Sequence, residues 1–138
     1  MSTRLFRAPR ANVVRAFTDP ALLVQWWGPK GFTNVFEEFD QRPGGLWRFV
    51  MHGPDGSEFR LTKEFIDVAP PERIVLRQLG GLHQFRMTMD FVEDGDATRV
   101  TWLMQFDSAE EGERVRPFVT AANEENFDRL ETLLASMA

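Results

Sequence analysis

The sequence predicts an α+β fold: a curved antiparallel sheet of about seven strands wrapped around a long C-terminal helix, with two short helices after the first strand. Three observations predict it. Apolar residues alternate with period two through most of residues 32 to 107. Turn signals divide that stretch into hairpins whose registers place the apolar residues on one face. Finally, an apolar stripe at helical spacing runs to the C-terminus and needs a sheet face to cover it. The chain has 138 residues, the size of one domain, and no internal repeat or linker interrupts it, so residues 1–138 are read as one unit.

Each element has its own signal. Residues 2 to 7 make a short strand. Pro9 then opens a helix whose apolar face is Val13, Val14 and Phe17. Asp19 and Pro20 restart a helix with an N-cap and a proline in the first turn, and Leu22, Leu23, Trp26 and Trp27 share its stripe. Gly28-Pro29 ends it. Six strands are expected between residues 32 and 107. In the first of these, either Val35 and Phe39 or Phe36 points inward. Gly53-Pro54-Asp55-Gly56-Ser57 suits a three-residue hairpin with a left-handed glycine, which sets Met51 opposite Phe59 and Phe49 opposite Leu61. A Gly80-Gly81 turn would pair Leu79 with Leu82 and so Leu76 with Phe85 and Ile74 with Met87. An Asp94-Gly95 type I′ turn would place Met89 opposite Val100 and Met87 opposite Trp102. The opposite face, with Arg48, Arg60, Glu64, Arg77 and Arg86, alternates in charge and reads as solvated. Ser108 and Glu111 have capping-box spacing, and Gly112 and Pro117 predict an irregular start to the last helix. From Val119 the stripe continues through Asn123, Asn126, Phe127, Leu130, Leu133, Leu134 and Met137, roughly five turns.

Composition removes much chemistry. There are thirteen Phe and four Trp but no Tyr and no Cys, and His52 and His83 are the two histidines. Thiol nucleophiles, disulfides, Cys-based zinc sites and tyrosine acids are excluded, and no metal-ligand spacing or nucleophile elbow is present, so no cofactor is expected. The net charge of -5 argues against a nucleic-acid partner. No apolar run is long enough to span a membrane, and the first ten residues lack the apolar core of a secretory signal, which suits the cytosol.

Several words in the sequence go further: Phe17-Thr18-Asp19-Pro20, Trp26-Trp27-Gly28-Pro29, Gly44-Gly45-Leu46-Trp47-Arg48-Phe49, His52-Gly53-Pro54-Asp55-Gly56, Pro70-Pro71-Glu72-Arg73-Ile74 and Asp128-Arg129-Leu130. With the element order, they resemble the START-like (SRPBCC) superfamily of helix-grip folds. Within it they are most similar to the branch named after the activator of the heat-shock chaperone ATPase. The resemblance covers nearly the whole chain. It implies an apolar cavity between sheet and long helix that holds lipids, sterols, polyketides or other hydrophobic small molecules. It also implies a possible chaperone partner, a stress-response role and a possible homodimer.

Inward parity and this resemblance define the candidate ligand-binding residues. Trp47, Phe49 and Met51 lie on one strand, with Phe59 and Leu61 on the next. Leu76 and Gln78 follow, then His83, Phe85 and Met87, then Trp102 and Met104. Each apolar member is also a plain core residue by its pattern, and as a group the methionines and aromatics suit an adaptable wall. The polar members are the more informative. Gln78 and His83 are placed opposite one another, and the helix contributes Asn123 and Asn126. The position of Asn123 is often a bulky aromatic in the family resembled, so an asparagine leaves space there. Trp26 and Trp27 could border a cavity mouth or plug the short helices onto the sheet. Glu37, Glu38 and Asp40 form an acidic cluster, and an inward Glu37 or His83 would be a candidate general base. The first functional expectation is non-enzymatic binding of a hydrophobic small molecule or lipid. The alternatives are a chaperone-modulating interaction module and a cyclase- or hydrolase-like enzyme.

Overall fold

The structure, a computed structural model, describes residues 1–80 and 83–137. Its elements run β1 (Ser2–Phe6), α1 (Arg10–Thr18), α2 (Pro20–Trp26), β2 (Thr33–Phe39), β3 (Leu46–His52), β4 (Glu58–Ala69), β5 (Arg73–Gly80), β6 (Phe85–Asp94), β7 (Ala97–Phe106) and α3 (Ala109–Met137). The strands form one antiparallel sheet in the order β1-β7-β6-β5-β4-β3-β2. This is the helix-grip arrangement expected from the sequence. Local signals set the early elements. Asp19 caps α2 by accepting the amide of Ala21 at 3.0 Å, with Pro20 in the first turn, and Gly28 leaves α2 at φ 105°.

The β3–β4 hairpin has the register expected, with Met51 against Phe59 and Phe49 against Leu61. Gly56 takes φ 88°, and the Gly53 amide donates to the Ser57 carbonyl at 2.9 Å. Two other registers differ from expectation by two residues. Leu76 faces Met87 rather than Phe85, and Ile74 faces Met89 rather than Met87. Gln78 is therefore opposite Phe85, and Gly81 and Leu82 of the expected turn lie outside the described residues. Likewise Met89 faces Trp102 and Met87 faces Met104, because Asp94 pairs with Ala97 and the turn is Gly95-Asp96. The reason is conformational. Gly95 has φ 62° and, among the described residues, no other residue type has positive φ. A type I′ turn on Asp94-Gly95 would force an aspartate left-handed, whereas glycine in the first central position needs only the II′ form. A two-residue shift preserves side-chain parity, so the same residues still face inward.

The choice between Val35 with Phe39 and Phe36 is resolved by a bulge. Phe36 pairs with Phe49 while Glu38 pairs with Arg48, leaving Glu37 as the extra residue. Both Phe36 and Phe39 then pack on the core, and Val35 is 55% exposed. Further bulges fall at Leu79 of β5 and Ile66 of β4, and they bend the sheet around α3.

The core is aromatic. Phe17 meets Trp26 and Phe91 edge-on, each at 4.8 Å, and Trp102 packs on Phe127 of α3 at 4.6 Å. Contrary to the expected irregular start, α3 is continuous through Gly112 and Pro117. The amide of Glu111 donates to Ser108 Oγ at 3.2 Å. The reciprocal half of a capping box is replaced by a contact of the Glu111 carboxylate with His83.

Candidate functional site

The two halves of α3 are held very differently. Its buried residues, Asn126, Phe127, Leu130 and Leu134, all lie in the C-terminal half. Arg129 donates to the carbonyls of Gln25, Trp27, Gly28 and Pro29 at 3.0–3.3 Å, and burial holds its guanidinium below the ordinary arginine value. Arg4 of β1 reaches Glu124, Asp128 and Glu131. From Ala109 to Ala122, by contrast, no residue is fully buried. Pro117 has no amide to donate to the preceding turn. This half of α3 stands off the sheet and leaves a hollow on each side.

The larger hollow is an open groove of about 690 Å³ and is mostly apolar. Met51, Phe59 and Leu61 form its sheet wall, and Val115, Phe118, Val119 and Ala122 its helix wall. Pro29 and Phe32 close one end; Gln78 and His83 supply polar groups, and Glu58 and Arg60 also border the space. Phe118 is 76% exposed. The smaller hollow, about 280 Å³, lies between α3 and the β1–β7 side and is bordered by Ser2, Trp102, Met104, Phe106 and Asn123. The Nδ2 group of Asn123 donates to Ser2 Oγ at 3.1 Å, while the buried indole N–H of Trp102 has no partner among the described residues. Val119 borders both hollows.

The expected site residues therefore divide into three groups. Met51, Phe59, Leu61, Gln78 and His83 meet at the larger hollow. Trp102, Met104 and Asn123 meet at the smaller one. Trp47, Phe49, Leu76, Phe85 and Met87 are buried in the core and border neither. Asn126 is buried too, with its Nδ2 group donating to the Trp26 carbonyl at 3.0 Å and its Oδ1 atom accepting the Gly28 amide at 3.3 Å. Its amide fastens α3 to the end of α2. Trp26 and Trp27 are plugs: both are buried, and the Trp26 indole donates to the Ala16 carbonyl at 3.0 Å. The bulge turns Glu37 outward, where it is exposed and pairs with Arg60 at 3.2 Å, so an inward Glu37 base is not formed. His83 and Gln78 are not paired across strands as expected; instead the Gln78 amide donates to the His83 carbonyl at 2.8 Å.

Lys63, which no motif marks as a site residue, also lies in this region. It lies on β4 between inward Leu61 and Phe65 and is only 4% exposed. Its Nζ donates to Gln78 Oε1 at 2.7 Å and lies 5.0 Å from the Phe85 ring centre, with Trp27 and Phe49 at about 6 Å. Burial lowers its pKa to about 7. Period-two parity alone places residue 63 inward with 61 and 65, so the signal was present.

A curved seven-stranded sheet gripping a C-terminal helix, with an apolar hollow between them, defines a START-like, helix-grip protein. More specifically, residues 7–135 match the family described as Activator of Hsp90 ATPase homolog 1-like protein, and the chain belongs to that family. The fold is similar to that of a Rhodobacter sphaeroides protein (27% identity, TM-score 0.87, covering 99% of this chain and 90% of that one). It is also similar to a Nitrosomonas europaea protein (21%, 0.88, 99% and 94%). A third similar structure is the AHSA1 protein of Silicibacter pomeroyi (18%, 0.77, 99% and 97%). No curated protein matches the chain. No helix among the described residues is long and apolar enough to cross a membrane.

Proposed function

We propose that this chain is a START-like carrier or sensor that binds a hydrophobic small molecule between the sheet and the N-terminal half of α3. The observation that carries this reading is the hollow of about 690 Å³, whose size and apolar lining suit a small organic ligand. The weak hold on residues 109–122, against the firm anchoring of residues 123–137, supports entry by movement of that half of the helix. Gln78 and His83 then orient the ligand, with Met51, Phe59 and Leu61 as its apolar bed, and Asn123 offers a second polar contact across Val119.

Titration with the uncharged fluorophore N-phenyl-1-naphthylamine tests this reading. Saturable binding to the wild type is expected, and its loss is expected in Ala122→Trp, which fills the hollow from the helix side. A folded wild type that does not bind the dye, or an Ala122→Trp variant that binds it equally, overturns the assignment.

A second reading rests on the family description together with the exposed ring of Phe118. In it, the rim of the hollow meets a chaperone and modulates its ATPase. An Hsp90 ATPase assay with and without the chain checks it. An unchanged rate at saturating chain overturns this reading and leaves the first intact.

A further inference from the structure

An apolar ligand does not explain the buried amine of Lys63. Its flanking inward residues on β4, Leu61 and Phe65, are hydrocarbon, and a side chain chosen for packing alone would be hydrocarbon too. Nζ has three protons to donate, and among the described residues it makes one hydrogen bond, to Gln78 Oε1. The rings of Phe85, Trp27 and Phe49 also face it. Among the described residues no carboxylate lies within ion-pair distance of it, so an ammonium here has no counter-charge from them. Such a group is costly to bury unless an anion arrives to pair with it.

The site where an anion would arrive is adjacent. Lys63 does not itself line the larger hollow; Leu61, two residues before it on β4, and Gln78, its cross-strand partner and hydrogen-bond acceptor, do, so an anion beside them reaches Nζ by taking the place of Gln78 Oε1. The remaining charged groups around the hollow are already engaged or exposed. Arg60 pairs with Glu37, His83 pairs with Glu111, and Glu58 is exposed at the end of β4, where its carboxylate repels an anion held at the mouth. An acidic headgroup is thus favoured beside Leu61 and Gln78, the lining residues next to Lys63, rather than beside Glu58. One ammonium matches one negative charge; a dianion would leave net charge buried.

Resting on the proposed function above, we infer that the ligand is an amphipathic monocarboxylic acid, its apolar body against Phe59 and Phe118 and its carboxylate on Lys63 beside Gln78.

Calorimetric titration with decanoate and with decanamide, its uncharged counterpart of the same length, tests this. The wild type is expected to bind decanoate at least about tenfold more tightly, and Lys63→Met is expected to bring the two compounds within about twofold. Methionine is unbranched, one heavy atom shorter and uncharged, and a thermal melt of the variant verifies folding. The comparison in the wild type does not depend on the variant. Equal affinity of the two compounds for the wild type, or a decanoate preference that survives in Lys63→Met, overturns this inference alone. Binding of neither compound by a wild type that binds the dye overturns this inference alone; binding of neither compound nor the dye overturns the cavity reading and this inference with it.

Discussion

Nδ1 of His83 lies 2.6 Å from Oε1 of Glu111, joining the residues just before β6 to the first turn of α3 across the end of the larger hollow. Beyond that point the N-terminal half of the helix has no fully buried anchor until Asn126. Amides of residues 113–122 are therefore expected to exchange with solvent roughly a hundredfold faster than those of residues 127–134. Glu111→Ala should widen the gap while leaving the chemical denaturation midpoint nearly unchanged. Hydrogen exchange read by mass spectrometry checks both; uniform protection along α3 would rule the asymmetry out.

Lys63→Met is expected to stabilise the empty protein, by several kcal/mol at pH 6. The sign follows from linkage. The pKa of Lys63 falls from 10.5 to about 7 on folding, so between those values the unfolded chain holds a proton that the folded chain does not. Wild-type stability therefore carries the full penalty below pH 7 and recovers as pH rises towards 10.5. Thermal melts of wild type and variant should diverge at pH 6 and converge near pH 10. A gap independent of pH would show that Lys63 is not what titrates.

Arg129 and Arg4 both tie α3 to the rest of the molecule, but they should not matter equally. Arg129 satisfies backbone carbonyls at the end of α2 from a half-buried position, and Arg129→Ala is expected to cost about 2–3 kcal/mol. Arg4 pairs with carboxylates that are largely exposed, and Arg4→Ala should cost no more than about 1 kcal/mol. Urea denaturation of the two variants decides the order.

Phe127 and Phe118, both on α3, supply a test of where the core ends. Phe127 is fully buried against Trp102 and Phe6, and Phe127→Ala should cost about 3–5 kcal/mol. Phe118→Ala should stay within about 0.5 kcal/mol of wild type while altering dye binding at the hollow. Equal destabilisation by the two would place Phe118 in the core.

Much of the fold was legible because parity tolerates error. Two hairpins are offset by two residues from the registers their turn residues suggested, yet Met87, Met89 and Trp102 face inward either way. The strand at Phe36 was not legible, since a bulge breaks the alternation and no residue there announces it. Lys63 failed for a different reason: a charge suggests solvent, and alternation suggested the core. Alternation was the better guide because the aromatic surroundings and Gln78 accommodate the amine. Asn126 looked like a ligand contact by its place on the stripe, but the carbonyl of Trp26 that it meets comes from a segment 100 residues away. Helical spacing carries no information about such a partner.

The bulge that brings both Phe36 and Phe39 into the core also falls on β2, the last strand of the sheet. There the row of outward-facing amides and carbonyls loses its even spacing at Glu37, and the paired charge of Glu37 and Arg60 stands beside it. An incoming strand could not continue the ladder past that point. If two copies of this chain associate, that rim of the sheet is a poor place for them to join, and the protection against edge-to-edge aggregation comes with the same extra residue that completes the core.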